Sequence, residues 1–268
     1  MAASPRSHGP AASTRRWPAA LALAVATVLI PAAPAAAQPE LAVGVIHQLD
    51  HTVRSRAGET IRIVNRFGDV RVRSIPDAAR ASLRVTLQSA REGAVPARLA
   101  AGEYGGGPVY AVEATDPGGA LLRADVVVAL PDRAGLDVRL HDRDFAMHAA
   151  GYPVRLRARS GEVGLRTTGR VDVEVVSGRV VYHPPAGGPP AGGRIVTSAA
   201  PVDVLARHAG SLNFRVLSGS AVTTDSPALL ATRRRDGRAV LFGDHEEAAV
   251  LTVRTDHAPV RLVLEANR

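Results

Sequence analysis

The densest group of side chains able to do chemistry is His141-Asp142-Arg143-Asp144, with His148 following. Imidazoles and carboxylates in that number are donors that zinc accepts, and they also serve general acid–base work. His141 and His148 stand seven apart, which matches no metal-binding spacing. A second group, Asp244-His245-Glu246-Glu247, could hold a cation weakly. A third, Arg233-Arg234-Arg235, presents three fixed positive charges that suit an acidic polymer, a lipid headgroup or a phosphate. His141, Asp142, Asp144, His148, Arg233, Arg234 and Arg235 are therefore the candidate surface site, set against the ordinary reading of such runs as solvated turns. No catalytic residue, metal ligand or cofactor site is assigned. Gly-x-Ser-x-Gly, His-Glu-x-x-His, a phosphate-cradling loop and calcium-binding nonapeptides are all absent.

The elements that must position these groups read as strands nearly throughout. Val154-Arg155-Leu156-Arg157-Ala158-Arg159 alternates strictly, as does Val171-Asp172-Val173-Glu174-Val175. Period-2 alternation sends one set of side chains to a core and the other to water. A small polar residue, a turn residue and a short apolar strand then recur down the chain. The set begins at Ser160, Ser177, Ser198, Ser218, Asp236 and Thr255, with steps of 17, 21, 20, 18 and 19 residues. A fixed period near 20 marks stacked β units. The 21-residue step holds the proline–glycine run from Pro184 to Gly193, read as a loop bulging from one turn. The expected fold is all-β: a single-stranded β-solenoid with coils of 17–21 residues, residues 131–268, preceded by an irregular β cap, residues 38–130. Both form one continuous domain. If Ser160 sits over Ser177, Arg155 lies beside Asp172 and Arg157 beside Glu174. Opposite charges so placed stabilise by roughly 0.2–1 kcal/mol each.

At these residues the chain resembles a bacterial family of exported domains named putative adhesins, whose function is unknown. The resemblance rests on Asn65 to Val72, on the apolar strand Val126 to Pro131, and on the Ser-Gly-x-Val turns that start at Ser160. It implies a β-solenoid or β-roll and carries no catalytic motif.

Composition bounds the rest. Arg6, Arg15 and Arg16 precede an apolar stretch from Ala19 to Ile30, and Ala35-Ala36-Ala37 follows, the three parts of a secretory signal. Residues 1–37 are accordingly read as a leader, too short in its apolar part to span a bilayer. Its removal leaves 30 arginines against 25 acids, a charge of +5 instead of +8. Lysine is absent, so the pI of 11.0 reflects arginine's near-constant charge and not a nucleic-acid footprint. With no cysteine, neither disulfides nor thiolate sites are available. The expectation is a non-enzymatic, exported protein of the periplasm or cell surface, binding an envelope polymer or protein. It has no nucleic-acid partner, and no transmembrane segment after signal cleavage. The alternatives are a polysaccharide-acting β-helix enzyme and a self-assembling envelope component. The single tryptophan, Trp17, falls in the leader, which weakens a glycan-processing reading.

Overall fold

In a computed structural model the described residues run from 44 to 264, apart from 54–57, 76–79, 94, 116–118, 132–133, 149–150, 152, 185–191, 207–212, 232, 237–238 and 243–249. The leader, the Asp244–Glu247 cluster and most of the proline–glycine run lie outside the described residues.

The chain opens with β1 (Val45–Val53), β2 (Thr60–Asn65), β3 (Val70–Ile75) and β4 (Ala81–Ser89). Next, β5 (Ala97–Tyr104) and β6 (Gly107–Ala114) form a hairpin, closed by Gly105 and Gly106 at φ of 63° and 82°. A two-residue hairpin loop of the type I′ kind needs positive φ at both positions, which glycine supplies without strain. After β7 (Leu121–Pro131) the chain shuttles between two sheets. One receives β8 (Gly135–Leu140), β10 (Val154–Ala158), β12 (Val171–Val175) and β14 (Gly193–Thr197); the other receives β9 (Phe145–His148), β11 (Glu162–Arg166), β13 (Arg179–Tyr182) and β15 (Val202–Ala206). From β10 to β15 each strand pairs in parallel with the one two elements before it. β16 (Asn213–Ser218), β17 (Val222–Thr224), the five-residue helix α1 (Pro227–Ala231), β18 (Arg234–Asp236), β19 (Ala239–Phe242), β20 (Val250–Thr255) and β21 (Val260–Leu264) complete it.

The result is two large, open, mixed sheets. Sheet 1 has the order β1-β4-β7-β3-β9-β11-β13-β15-β21-β17, and sheet 2 the order β18-β19-β16-β20-β14-β12-β10-β8-β2-β6-β5. The alternation read from sequence is the burial pattern: Val154, Leu156 and Ala158 are buried while Arg155 and Arg157 are exposed. Inward residues of both sheets, such as Val163 and Leu165 from one and Val173 and Leu156 from the other, join a single apolar core. Full burial of a valine or leucine side chain contributes about 1.5–3 kcal/mol.

The predicted register is present, with Val154 opposite Val171, Arg155 opposite Asp172 and Arg157 opposite Glu174. The stacking order differs from the expected succession of coils at both ends. β20 pairs with β14 on one side and β16 on the other, and β21 likewise lies between β15 and β17. The last repeat thus stands before the Ser218 repeat in space. At the other end β2 lies between β6 and β8, and β3 between β7 and β9, so residues 60–75 sit inside the stack and not in a cap beyond it. An interior slot satisfies both edges of these strands, whereas simple succession leaves one edge open. The Asp236 repeat is no coil either: it joins β18 and β19, which are antiparallel.

Corners between the sheets are tied by buried polar side chains. Asn65, fully buried, donates from Nδ2 to the carbonyls of Gly68 (2.9 Å) and Ala124 (2.7 Å), and its Oδ1 accepts from the Phe67 amide (3.2 Å). Thr197 and Thr255 donate to the carbonyls of Ala200 (2.7 Å) and Ala258 (2.6 Å) at equivalent corners. At Gly178, φ is 106° and a Cβ would lie 2.1 Å from the Gly161 carbonyl oxygen of the neighbouring coil. Only glycine fits that contact.

Candidate functional site

The sequence-predicted cluster is divided by the fold. His141 and Asp142 occupy the turn from β8 to β9. There Asp142 accepts from the Ser160 hydroxyl (2.7 Å), and His141 Nε2 lies 3.4 Å from Asp142 and 3.3 Å from Arg159. The Ser160 hydrogen bond, aided by the nearby His141, Arg159 and Arg143 charges, holds the Asp142 carboxyl below its ordinary value. Asp144 immediately precedes β9, accepts the Glu162 amide (2.7 Å) and donates its own amide to Asp69 Oδ1 (3.2 Å). Asp69 in turn donates its amide to Asp125 Oδ1 (2.9 Å). Each carboxylate thus receives the backbone N–H of the coil stacked on it. His148 is separate: three residues along β9 from Phe145, about 10 Å at strand rise, it stands on the outer face of sheet 1. Among the described residues, no three histidine or carboxylate groups are placed to hold a metal ion. Arg233 precedes β18, and Arg234 and Arg235 lie on it, at the edge of sheet 2. They are far in strand order from the histidines.

A different site is built on the outer face of sheet 2. One outward row runs across successive strands as Arg62, Asp137, Arg155, Asp172, Arg194 and Thr252. Arg62 pairs with Asp137 (2.6 Å), Arg155 and Arg194 both pair with Asp172 (3.2 and 3.0 Å), and Arg194 also reaches Glu174 (2.7 Å). Arg157 pairs with Glu174 at 3.2 Å, completing the forecast pair. Burial pulls the Asp172 carboxyl upward, yet the hydrogen bonds and charges of Arg194 and Arg155 outweigh it and hold the group below its ordinary value. The arginines and carboxylates of the floor are thus mutually engaged across the strands.

Above this row lies an open groove of about 1300 Å³. At an inter-strand spacing of about 4.8 Å, the seven strands from β6 to β20 give it a length of about 29 Å. Its walls are the Gly105–Gly106 hairpin with Tyr104, the segment at Gly58 and Glu59, Arg170, and the Gly192–Gly193 turn. Gly193, at φ 139°, permits the turn to approach: a Cβ there would lie 2.0 Å from the Val171 carbonyl oxygen. Tyr104 is 64% exposed, and the Arg62 guanidinium lies 4.0 Å from its ring centroid. That cation–π contact orients the ring at the groove's end. Asp137 is only 3% exposed, and while Oδ2 takes the Arg62 hydrogen bonds, Oδ1 has no hydrogen-bond partner among the described residues. The arrangement can bind a long ligand through donors, acceptors and one aromatic face. Sequence reading missed it because its walls come from segments between Gly58 and Thr252. The alternating Arg/Asp pattern of β10 and β12 was the one signal present.

No protein-family model matches the chain, and no curated protein matches it. Among solved structures it is similar to a putative cell adhesion protein from Clostridium sporogenes, at 9% identity and TM-score 0.41, over 82% of this chain and 100% of that one. It is also similar to putative adhesins from Bacteroides fragilis (8%, TM-score 0.30) and Parabacteroides distasonis (7%, TM-score 0.23), each over 81% of this chain and 97% of theirs. Likenesses of this degree assign no ligand or activity to the chain.

Proposed function

We propose that the chain is an exported, non-catalytic binding module of the cell envelope, adhesin-like in role, and that the groove on sheet 2 is its ligand site. In this reading the shuttling parallel strands are the coils of a two-sided β-solenoid, which holds a long face rigid. The observation that carries the proposal is the groove itself. It is about 1300 Å³, open along its length, and floored by paired charges, with the exposed ring of Tyr104 at one end. An extended open channel suits a polymer or a protein segment better than an enclosed small substrate. The carboxylates also favour binding over catalysis. Asp172 is held ionised between two arginines, so it is a poor proton donor and, being fully engaged, a poor base.

The test is retention of the chain on outer membrane, peptidoglycan and intact cells, compared with a Tyr104→Ala, Arg170→Gln variant. Loss of retention in the variant, with unchanged circular dichroism, supports the groove as the site. Equal retention overturns it.

A further inference from the structure

We propose a second binding site, on the outer face of sheet 1, for the carboxylate groups of an acidic polysaccharide. Sheet 2 alternates its outward arginines with acids along the groove; on sheet 1 such pairs stand to either side, Arg84 with Asp50 and Arg179 with Asp203, and the strands between them differ. There Arg73 lies opposite His148, and His148 opposite Arg166, on three adjacent strands. None of these three side chains makes a hydrogen bond or ion pair with another described residue. No described acid faces the two arginines of this row, so charge pairing across the sheet does not account for them.

The floor beside it is unusually small. Arg71, Ala146 and Gly164 form the adjoining outward row. Gly164 sits mid-strand in ordinary extended backbone, and a Cβ there would meet nothing nearer than the Phe145 carbonyl oxygen at 3.9 Å. The fold does not require glycine at that point. A glycine weakens a strand interior, and one with no packing reason marks a place where another molecule approaches the backbone closely. Beyond Arg73 the same face continues into a hollow of about 520 Å³ lined by Thr52, Ser82 and Ala129 and by the Arg84–Asp50 ion pair. From β1 to β11 the strip crosses six strands, about 24 Å at the usual spacing. Arg73 and Arg166, two strands or about 10 Å apart beside the small side chains of Ala146 and Gly164, fit a chain of sugar rings bearing carboxylates. The guanidiniums bind the carboxylates in charge-assisted pairs, and the rings lie over Ala146 and Gly164.

The experiment measures binding of the full chain to polygalacturonate, to neutral dextran and to polyphosphate. The expected result is binding to polygalacturonate and not dextran, weakened roughly tenfold per arginine in Arg73→Gln, Arg166→Gln. Gly164→Val should abolish binding with no fall in the unfolding midpoint, because it keeps every charge and fills open space. Arg155→Gln, Arg194→Gln on sheet 2 should leave the affinity unchanged, which separates this site from the groove. Wild-type affinity in Gly164→Val, equal binding to dextran, or binding to polyphosphate alone overturns the proposal.

Discussion

Replacing Asn65 by alanine tests how the corners hold the two sheets together. The wild-type amide is fully buried and makes three hydrogen bonds: to the carbonyls of Gly68 and Ala124, and from the Phe67 amide. Truncation leaves those three backbone groups without their partner in an environment closed to water. At about 1 kcal/mol for each lost hydrogen bond, the expected destabilisation is about 3 kcal/mol. For a chain of this size that lowers the melting temperature by about 6–12 °C. Urea unfolding followed by far-ultraviolet circular dichroism reads it as a lower midpoint with an unchanged slope. Gly68 adds a second handle on the same corner, since a Cβ there would lie 2.1 Å from the Ala124 carbonyl oxygen. A loss below about 1 kcal/mol for Asn65→Ala would show that water or local rearrangement replaces the amide, and would refute the corner account.

Three further outcomes are expected. Gly178→Ala should destabilise by at least about 1–3 kcal/mol, the range for a non-glycine residue forced to positive φ, with the clash against Gly161 adding to it; differential scanning calorimetry measures this. Asp172 and Asp50 have folded values below their ordinary 3.8, so the unfolded chain binds more protons than the folded one in the window below that value. Their contribution is present above about pH 4 and lost as pH falls through the folded values, and Asp172→Asn should shallow that fall in acid titrations of stability. Deleting residues 250–268 removes β20 and β21, which each pair on both sides, and should unpair β14, β15, β16 and β17 together. Hydrogen exchange should then show lost protection in all four strands, whereas loss confined to β16 and β17 would contradict the interleaved order.

Much of the local structure was legible in the sequence because period 2 and charge complementarity are both written in neighbouring residues. Val154 to Arg159 and Val171 to Val175 carry their own inside and outside, and a 17-residue offset sufficed to place Arg155 beside Asp172. Stacking order was not legible. A repeat fixes the length of a coil but not which coil it covers, and Val250–Thr255 offers a register equally suited to β14 and β16. Nor does a turn-then-strand motif tell a corner from a hairpin, which is why Asp236 was misplaced among the coils. Of the candidate site, the His141–Asp144 part proved to be a stacked corner. A strand of extended backbone carries His148 away from it onto sheet 1, where Arg73 and Arg166 flank it. The groove escaped notice because Gly58, Tyr104, Asp137 and Thr252 meet only when the sheet forms.

The most direct test of the binding role is co-sedimentation of the purified chain with outer membrane, peptidoglycan and intact cells at low and high salt. Retention on one fraction, weakened by salt as screened ionic contacts require, is the predicted result. No retention on any fraction at either salt concentration would contradict an envelope-binding function.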